Sequence, residues 1–338
     1  MRAVRLYGAG DLRLCEESDP VPGPGEALLR IASVGLCGSD LTWFDSSSIG
    51  ATKLQSPLIL GHEFAAVAET GKYAGRRVAV DPADPCGQCR HCLDGHPNLC
   101  LHMRFAGHAP DDGALREKMA WPEELLHPLP DALSNEDGVM LEPLGVALHA
   151  MDLAGPRLMD SIGIFGCGPI GLLLVQLARA AGASRIIATD PLHHRLQAAE
   201  YCGALAIAAK DGAESAEIGR ETGNAGLDVV FEAAGENAAV EAAIRAVRPG
   251  GTVILAGIPR DDRTSFCASE ARRKGLTIKL VRRMKRMYPR AIQLALSGKT
   301  DLAALVSAIY ALDQAPAAFA AAAARQGLKI CIDPSAGA

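Results

Sequence analysis

From Asp160 onward the chain alternates short apolar runs with amphipathic stretches, and few folds accept that rhythm. "SIGIFG" reads as a strand, "PIGLLLVQLARAAG" as a helix, "RIIATD" as a strand and "PLHHRLQAAEYCG" as a helix; "LDVVFEAAG", "NAAVEAAIRAV", "GGTVILAG" and "GLTIKLV" continue the pattern. Strand and helix units in succession imply an α/β domain with a parallel sheet, right-handed crossovers and helices on both faces. Up to about residue 149 the pattern differs. Runs such as "EALLRIASVG", "EFAAVAET" and "RRVAV" are separated by Pro/Gly turns, which predicts short antiparallel strands in a β-rich domain. After about Pro289 the chain runs through "AIQLALSG", the Ala-rich helix "APAAFAAAAARQG" and "LKICID", which is expected to return to the first domain. The layout is a β-rich domain over 1–149, a nucleotide-type domain over 150–288 and a closing segment over 289–338. A chain of 338 residues suits about two domains and buries a large core without covalent staples.

The stretch "PCGQCRHCLDGHPNLC" therefore needs another explanation. Cys86, Cys89, Cys92 and Cys100 stand at C-x2-C-x2-C-x7-C. The N-terminus lacks an apolar run of signal-peptide length, and later apolar stretches break well before ~18 residues, so a cytoplasmic protein with reduced thiols and no membrane partner is expected. Two-residue gaps make adjacent disulfides awkward but aim several sulfurs at one point. Structural zinc in a lobe over about 85–101 is favoured over disulfides, with an iron–sulfur cluster third. The segment has no helical or strand periodicity. The formal net charge of −5 and the scattered Lys and Arg give no footprint for nucleic acid.

Between the first strand and helix of the middle domain stands "GCGPIG", with Gly166, Gly168 and Gly171 in G-x-G-x-x-G order. The first glycine permits the tight turn, the second lets backbone approach a pyrophosphate and the third allows close helix–strand packing, while helix N–H groups meet the phosphate charge. Asp190 ends "RIIATD" nineteen residues past Gly171, where it would accept hydrogen bonds from the adenine ribose and repel a 2′-phosphate. NAD is thus expected over NADP. Arg195 is placed to stack on adenine or to meet a phosphate. The same coenzyme set takes Pro169 and Ile170 in the loop and Gly257 and Ile258 after a later strand.

Three separated stretches also carry metal-type residues: "VGLCGSD" with Cys37, "ILGHEFAA" with His62 and Glu63, and "MLEPLGVALHA" with Glu142. Each has an ordinary reading: a small core thiol, a satisfied histidine, a Glu-Pro helix start. Together with "PDDGAL", "GCGPIG" and "DVVFEAAG", in this order across nearly the whole chain, they resemble the zinc-dependent medium-chain alcohol dehydrogenases, most closely the sorbitol (polyol) dehydrogenase branch. The resemblance implies a GroES-like catalytic domain, a Rossmann coenzyme domain, an active site in the cleft between them, and a homo-oligomer, dimer or tetramer. It implies two zinc ions per subunit, one structural and one catalytic. Cys37 and His62 then become catalytic-zinc ligands, joined by Glu63 or Glu142, with Glu142 standing where alcohol dehydrogenases have another Cys. Asp40 would fix the His62 tautomer.

By the same resemblance, zinc lowers the pKa of a substrate hydroxyl, whose carbon delivers hydride to NAD, and Ser39 passes the proton outward. Thr42 stands where many relatives have a His, so the relay ends at Glu142 or in solvent. Trp43 replaces a Tyr of well-known members, Phe105 forms an apolar wall, and Arg283 matches a substrate-contacting Arg. The expected reaction converts a secondary alcohol of a polyol or sugar-like molecule to its ketone. Alternatives are a threonine-type or amino-cyclitol dehydrogenase of the same family, and a non-catalytic zinc- and nucleotide-binding relative. A metal-free quinone reductase on this scaffold predicts neither the cysteine lobe nor the ligand set.

Overall fold

The strand Glu26–Gly35 alternates buried residues with half-exposed or exposed ones through Ala32 and is wholly buried from Ser33 to Gly35. That change matches its neighbours. One edge pairs antiparallel with Glu63–Ala68, while the other is shared by Lys118–Pro122 and Lys329–Asp333. Arg77–Val80, Leu126–Pro128 and Val306–Ala311 complete a seven-stranded sheet. The structure, a computed structural model, describes residues 1–210 and 212–336. Its contacts divide the chain into two units, Met1–Glu142 with the segment from Tyr288, and Pro143–Met287. "LKICID" supplies the strand Lys329–Asp333 beside Glu26–Gly35, so the C-terminal segment joins the β-rich unit through a sheet ladder. The core of this unit gathers Leu29, Ile31, Phe64, Trp121 and Phe319, each at most 2% exposed.

The second unit is a six-stranded parallel sheet in the order Leu205–Ala208, Arg185–Asp190, Ser161–Phe165, Leu227–Glu232, Val247–Leu255, Thr277–Leu280. Its central strands are near-continuous apolar runs because helices cover both faces. The chain steps one way from Ser161–Phe165 for the next two strands and the other way for the last three. Loops after Ser161–Phe165 and Leu227–Glu232 therefore diverge at a topological switch point, where α/β sheets bind ligands.

Two local readings change. Glu142-Pro143 does not start a helix: both lie inside Asn135–Ala154. The true start is Ser134, whose Oγ accepts the Asp137 N–H at 3.0 Å while its own N–H donates to Asp137 Oδ2 at 2.8 Å, a reciprocal cap. Proline in the interior forfeits one backbone bond that the rest of this 20-residue helix outweighs. In the cysteine lobe, read as devoid of periodicity, Arg90–Leu93 forms a helical turn and Pro97–Leu99 a 3-10 turn. Turns of three or four residues are too short to carry a readable period.

Tyr288 opens the returning segment. Its ring stacks on His127 at 4.6 Å and 2°, and its hydroxyl donates to the Val80 carbonyl at 2.7 Å. Burial lowers the His127 pKa to about 4, so the folded protein holds the ring neutral. An unfolded chain takes up this proton below about 6.5, and stability tied to His127 is complete above that pH and lost on acidification toward 4. At about 1.4 kcal/mol per pKa unit the loss reaches about 3 kcal/mol. Urea unfolding of wild type and His127→Phe should show a stability gap that shifts by this order, in favour of the variant, between pH 7.5 and pH 4.5. A gap independent of pH would remove the assignment.

Candidate functional site

Past Gly35 the chain turns into the helix Gly38–Ser46 with Cys37 at its N-cap. Asp40 fastens this turn. Its Oδ2 accepts the Cys37 N–H at 2.9 Å and its Oδ1 accepts the Gly61 N–H at 3.2 Å, joining the helix start to the segment that enters Glu63–Ala68. Glu63 is in register with Gly35, so both segments reach one end of the ladder. Cys37 Sγ, a ring nitrogen of His62 and a carboxylate oxygen of Glu63 consequently lie within 4.8 Å of one another.

The electrostatics suit a cation. His62 is 6% exposed with Nδ1 3.4 Å from Asp40 Oδ1, which turns Nε2 to the remaining side. Burial disfavours the imidazolium, yet Asp40 and Cys37 outweigh it and hold the His62 pKa well above its ordinary value. Burial likewise works against the Asp40 carboxylate, but His62 and two backbone N–H groups keep its pKa below the usual range. A field that holds a proton this firmly also attracts a metal ion. Glu142 lies outside the three-residue group and is 7% exposed, without a hydrogen bond in the structure. Burial, reinforced by Glu63 and opposed by His62 and Lys329, raises its pKa to about 7. A buried carboxyl without a partner is costly, and a bound ion with its solvent is the kind of partner that removes the cost. The donor set, one thiol, one imidazole and carboxylate, fits zinc with a position left open.

One residue of this region was absent from the sequence reading. Lys329, 2% exposed, forms an ion pair with Glu63 Oε2 and donates to the Leu36 carbonyl at 3.0 Å. Burial works against its charge, but Glu63 and Cys37 more than compensate and keep its pKa above the ordinary value. The available signal was a lysine inside the buried strand "KICID", since charge in such a run requires a partner.

Of the other candidates in this unit, Phe105 stands 5.5 Å from His62, ring centre to ring centre. Trp43 is 1% exposed and meets the His108 ring edge-on at 5.6 Å. Ser39 is half-buried, and Thr42 Oγ1 donates back to the Gly38 carbonyl at 3.1 Å. Arg283 belongs to the second unit, half-buried at φ +52°, a left-handed conformation uncommon for a non-glycine residue.

The four lobe sulfurs also lie within 4.8 Å of one another, with separations of 3.5 Å for Cys89–Cys92, 3.9 Å for Cys89–Cys100 and 3.5 Å for Cys86–Cys100. A disulfide needs about 2 Å, whereas a tetrahedron with 2.3 Å zinc–sulfur bonds has edges of about 3.8 Å. Backbone N–H groups draw the Cys89 thiol down to about 6, while desolvation and neighbouring thiols push Cys92 up to about 12. Holding all four as thiolates requires a cation.

In the second unit Gly166, at φ +101°, ends the first strand, and Gly168 caps the helix Pro169–Ala180. A Cβ on Gly171 would sit 1.8 Å from the Gly166 carbonyl oxygen, so helix and strand approach as closely as only glycine allows. Ile170 follows Pro169 in the first helical turn. Asp190 is 3% exposed: Oδ2 accepts the Cys167 N–H and Oδ1 the Leu192 N–H, each at 2.9 Å. The Arg195 guanidinium lies 3.8 Å from Asp190 and flanks Gly168. Gly257 packs on the Gly235 backbone, and Ile258 is 63% exposed past the end of Val247–Leu255. No helix among the described residues is long and apolar enough to cross a membrane.

Comparison with known proteins shows the family. The alcohol dehydrogenase GroES-like domain family matches residues 23–131 and the zinc-binding dehydrogenase family matches residues 169–297. A protein named "Probable D-xylulose reductase A" from Aspergillus clavatus is 36% identical over 94% of this chain and 92% of its own. Sorbitol dehydrogenase from Bacillus subtilis is 34% identical over 93% and 91%. Among solved structures, a zinc-binding dehydrogenase from Sinorhizobium meliloti bound to NADP superposes with a TM-score of 0.87 at 29% identity, covering 98% of this chain and 99% of that one. The chain belongs to the zinc-dependent medium-chain alcohol dehydrogenases, in their polyol dehydrogenase branch.

Proposed function

We propose that this protein is an oxidoreductase that uses zinc and NAD to interconvert a secondary alcohol of a polyol or sugar-like molecule and its ketone. The observation that carries the reading is the convergence of Cys37, His62 and Glu63 within 4.8 Å, in a chain whose relatives include a sorbitol dehydrogenase. When bound, zinc supplies Lewis-acid polarisation of the substrate hydroxyl and the nicotinamide supplies the hydride acceptor. The chain's own groups do the rest. Cys37 and His62 hold the ion, with Glu63 or Glu142 completing the set, and Asp40 keeps the His62 ring oriented. Ser39 takes the hydroxyl proton outward, and Glu142, with its pKa near 7, exchanges a proton at neutral pH. Phe105 and Arg283 contact the substrate; Trp43, expected beside them, is 1% exposed within the core and too enclosed to touch it.

Gly166, Gly168, Pro169, Ile170 and Gly171 would hold the coenzyme, together with Gly257 and Ile258. The Asp190 carboxylate opposes a 2′-phosphate, which favours NAD despite the nearby Arg195. Cys86, Cys89, Cys92 and Cys100 would hold a second zinc. The working form is a homo-oligomer, dimer or tetramer, in the cytoplasm.

Purified zinc-loaded protein should reduce NAD with a panel of polyols, read from NADH absorbance. Cys37→Ala should abolish turnover with NADH affinity unchanged; retained turnover would remove the catalytic-metal assignment. Asp190→Ala should lower the preference for NAD over NADP at least about tenfold, the size of one lost charged contact. An unaltered ratio would exclude the ribose contact. Cys100→Ser should lower the unfolding temperature and release zinc before the chemistry suffers, and a variant as stable as wild type would refute a structural ion in the lobe.

A further inference from the structure

Glu63 is enclosed from two directions. Gly35 lies under it so closely that a Cβ there would come within 2.5 Å of Oε2. From the neighbouring strand Lys329 pairs with that same oxygen and anchors itself on the Leu36 carbonyl at 3.0 Å. Both side chains are at most 2% exposed, so no solvent competes for the pair. Oε1, in contrast, makes no hydrogen bond, and a Glu63 carboxylate oxygen lies within 4.8 Å of the Cys37 and His62 donors.

We propose that Lys329 is a positioning residue for the metal centre: by keeping Oε2 of Glu63 for itself it leaves a single oxygen for the ion and preserves a coordination position for substrate. The proposal deepens the function given above and rests on it. It also has an electrostatic side. Cys37 thiolate and Glu63 carboxylate place two negative charges beside a divalent ion, and the Lys329 ammonium cancels one, so the ion keeps a net positive field for the substrate oxygen. Without the ammonium both carboxylate oxygens become available. The metal is then held more tightly and polarises less.

This predicts opposite movements that mere damage does not produce. Lys329→Met should bind zinc about tenfold more tightly in chelator competition while turnover falls at least about tenfold, whereas a loosened site loses metal and activity together. Cobalt-substituted protein gives a second readout. With the lobe's contribution subtracted using Cys37→Ala, the visible absorption of the variant should weaken as the coordination number rises, and Lys329→Arg should restore the wild-type spectrum. Because Lys329→Met leaves a buried carboxylate unpaired and risks misfolding, the same comparison is made with Glu63→Gln present. There, removing Lys329 should leave metal affinity and spectrum unchanged.

Wild-type affinity and spectrum in Lys329→Met, weaker metal binding, or an equal effect with Glu and with Gln at position 63 would each overturn the proposal. If Cys37→Ala itself leaves the cobalt spectrum of the wild type intact, the catalytic-metal reading falls first and this proposal with it.

Discussion

The ladder between Glu26–Gly35 and its partners governs the grouping of Cys37, His62 and Glu63. Its end is fully buried because Glu63–Ala68 covers one edge and Lys329–Asp333 the other. Cys37 follows this strand, Glu63 pairs with its last residue, and Lys329 arrives from a segment 266 residues further along the chain than Glu63. A slip of one residue in either pairing would turn Glu63 or Lys329 to the opposite face, since side chains alternate along a strand. Register is thus a functional quantity here, set by the apolar residues that fill the core beneath.

Charges at this end of the sheet are balanced as a group. Asp40 has His62 and two backbone N–H groups, Glu63 has Lys329, and Glu142 alone remains without a hydrogen bond. Burial would otherwise neutralise such groups, and the carboxyl left without a partner is the one whose pKa rises to about 7. The three acids thus differ in their partners: Asp40 faces an imidazole and backbone N–H groups, Glu63 an ammonium, and Glu142 neither as a hydrogen-bond donor.

The second unit achieves its preorganisation with backbone. Asp190, expected to act on a ribose, already accepts N–H groups of Cys167 and Leu192, so the same carboxylate shapes the glycine turn and leaves remaining lone pairs for a ligand. Gly171 against Gly166 fixes the distance from strand to helix. Neither contact requires a distant part of the chain.

That difference explains what was legible in the sequence. The βα rhythm, the glycine turn and the four-cysteine lobe are short-range, so spacing alone carries their geometry. The polyol-dehydrogenase kinship was readable for the same reason, from motifs in order. Tertiary structure decided the rest: that Asp40 ties Cys37 to Gly61, and that Lys329 holds Glu63 while Glu142 stands outside the three-donor group. These depend on which strands pair and in what register, a property of the packed core that no local spacing encodes.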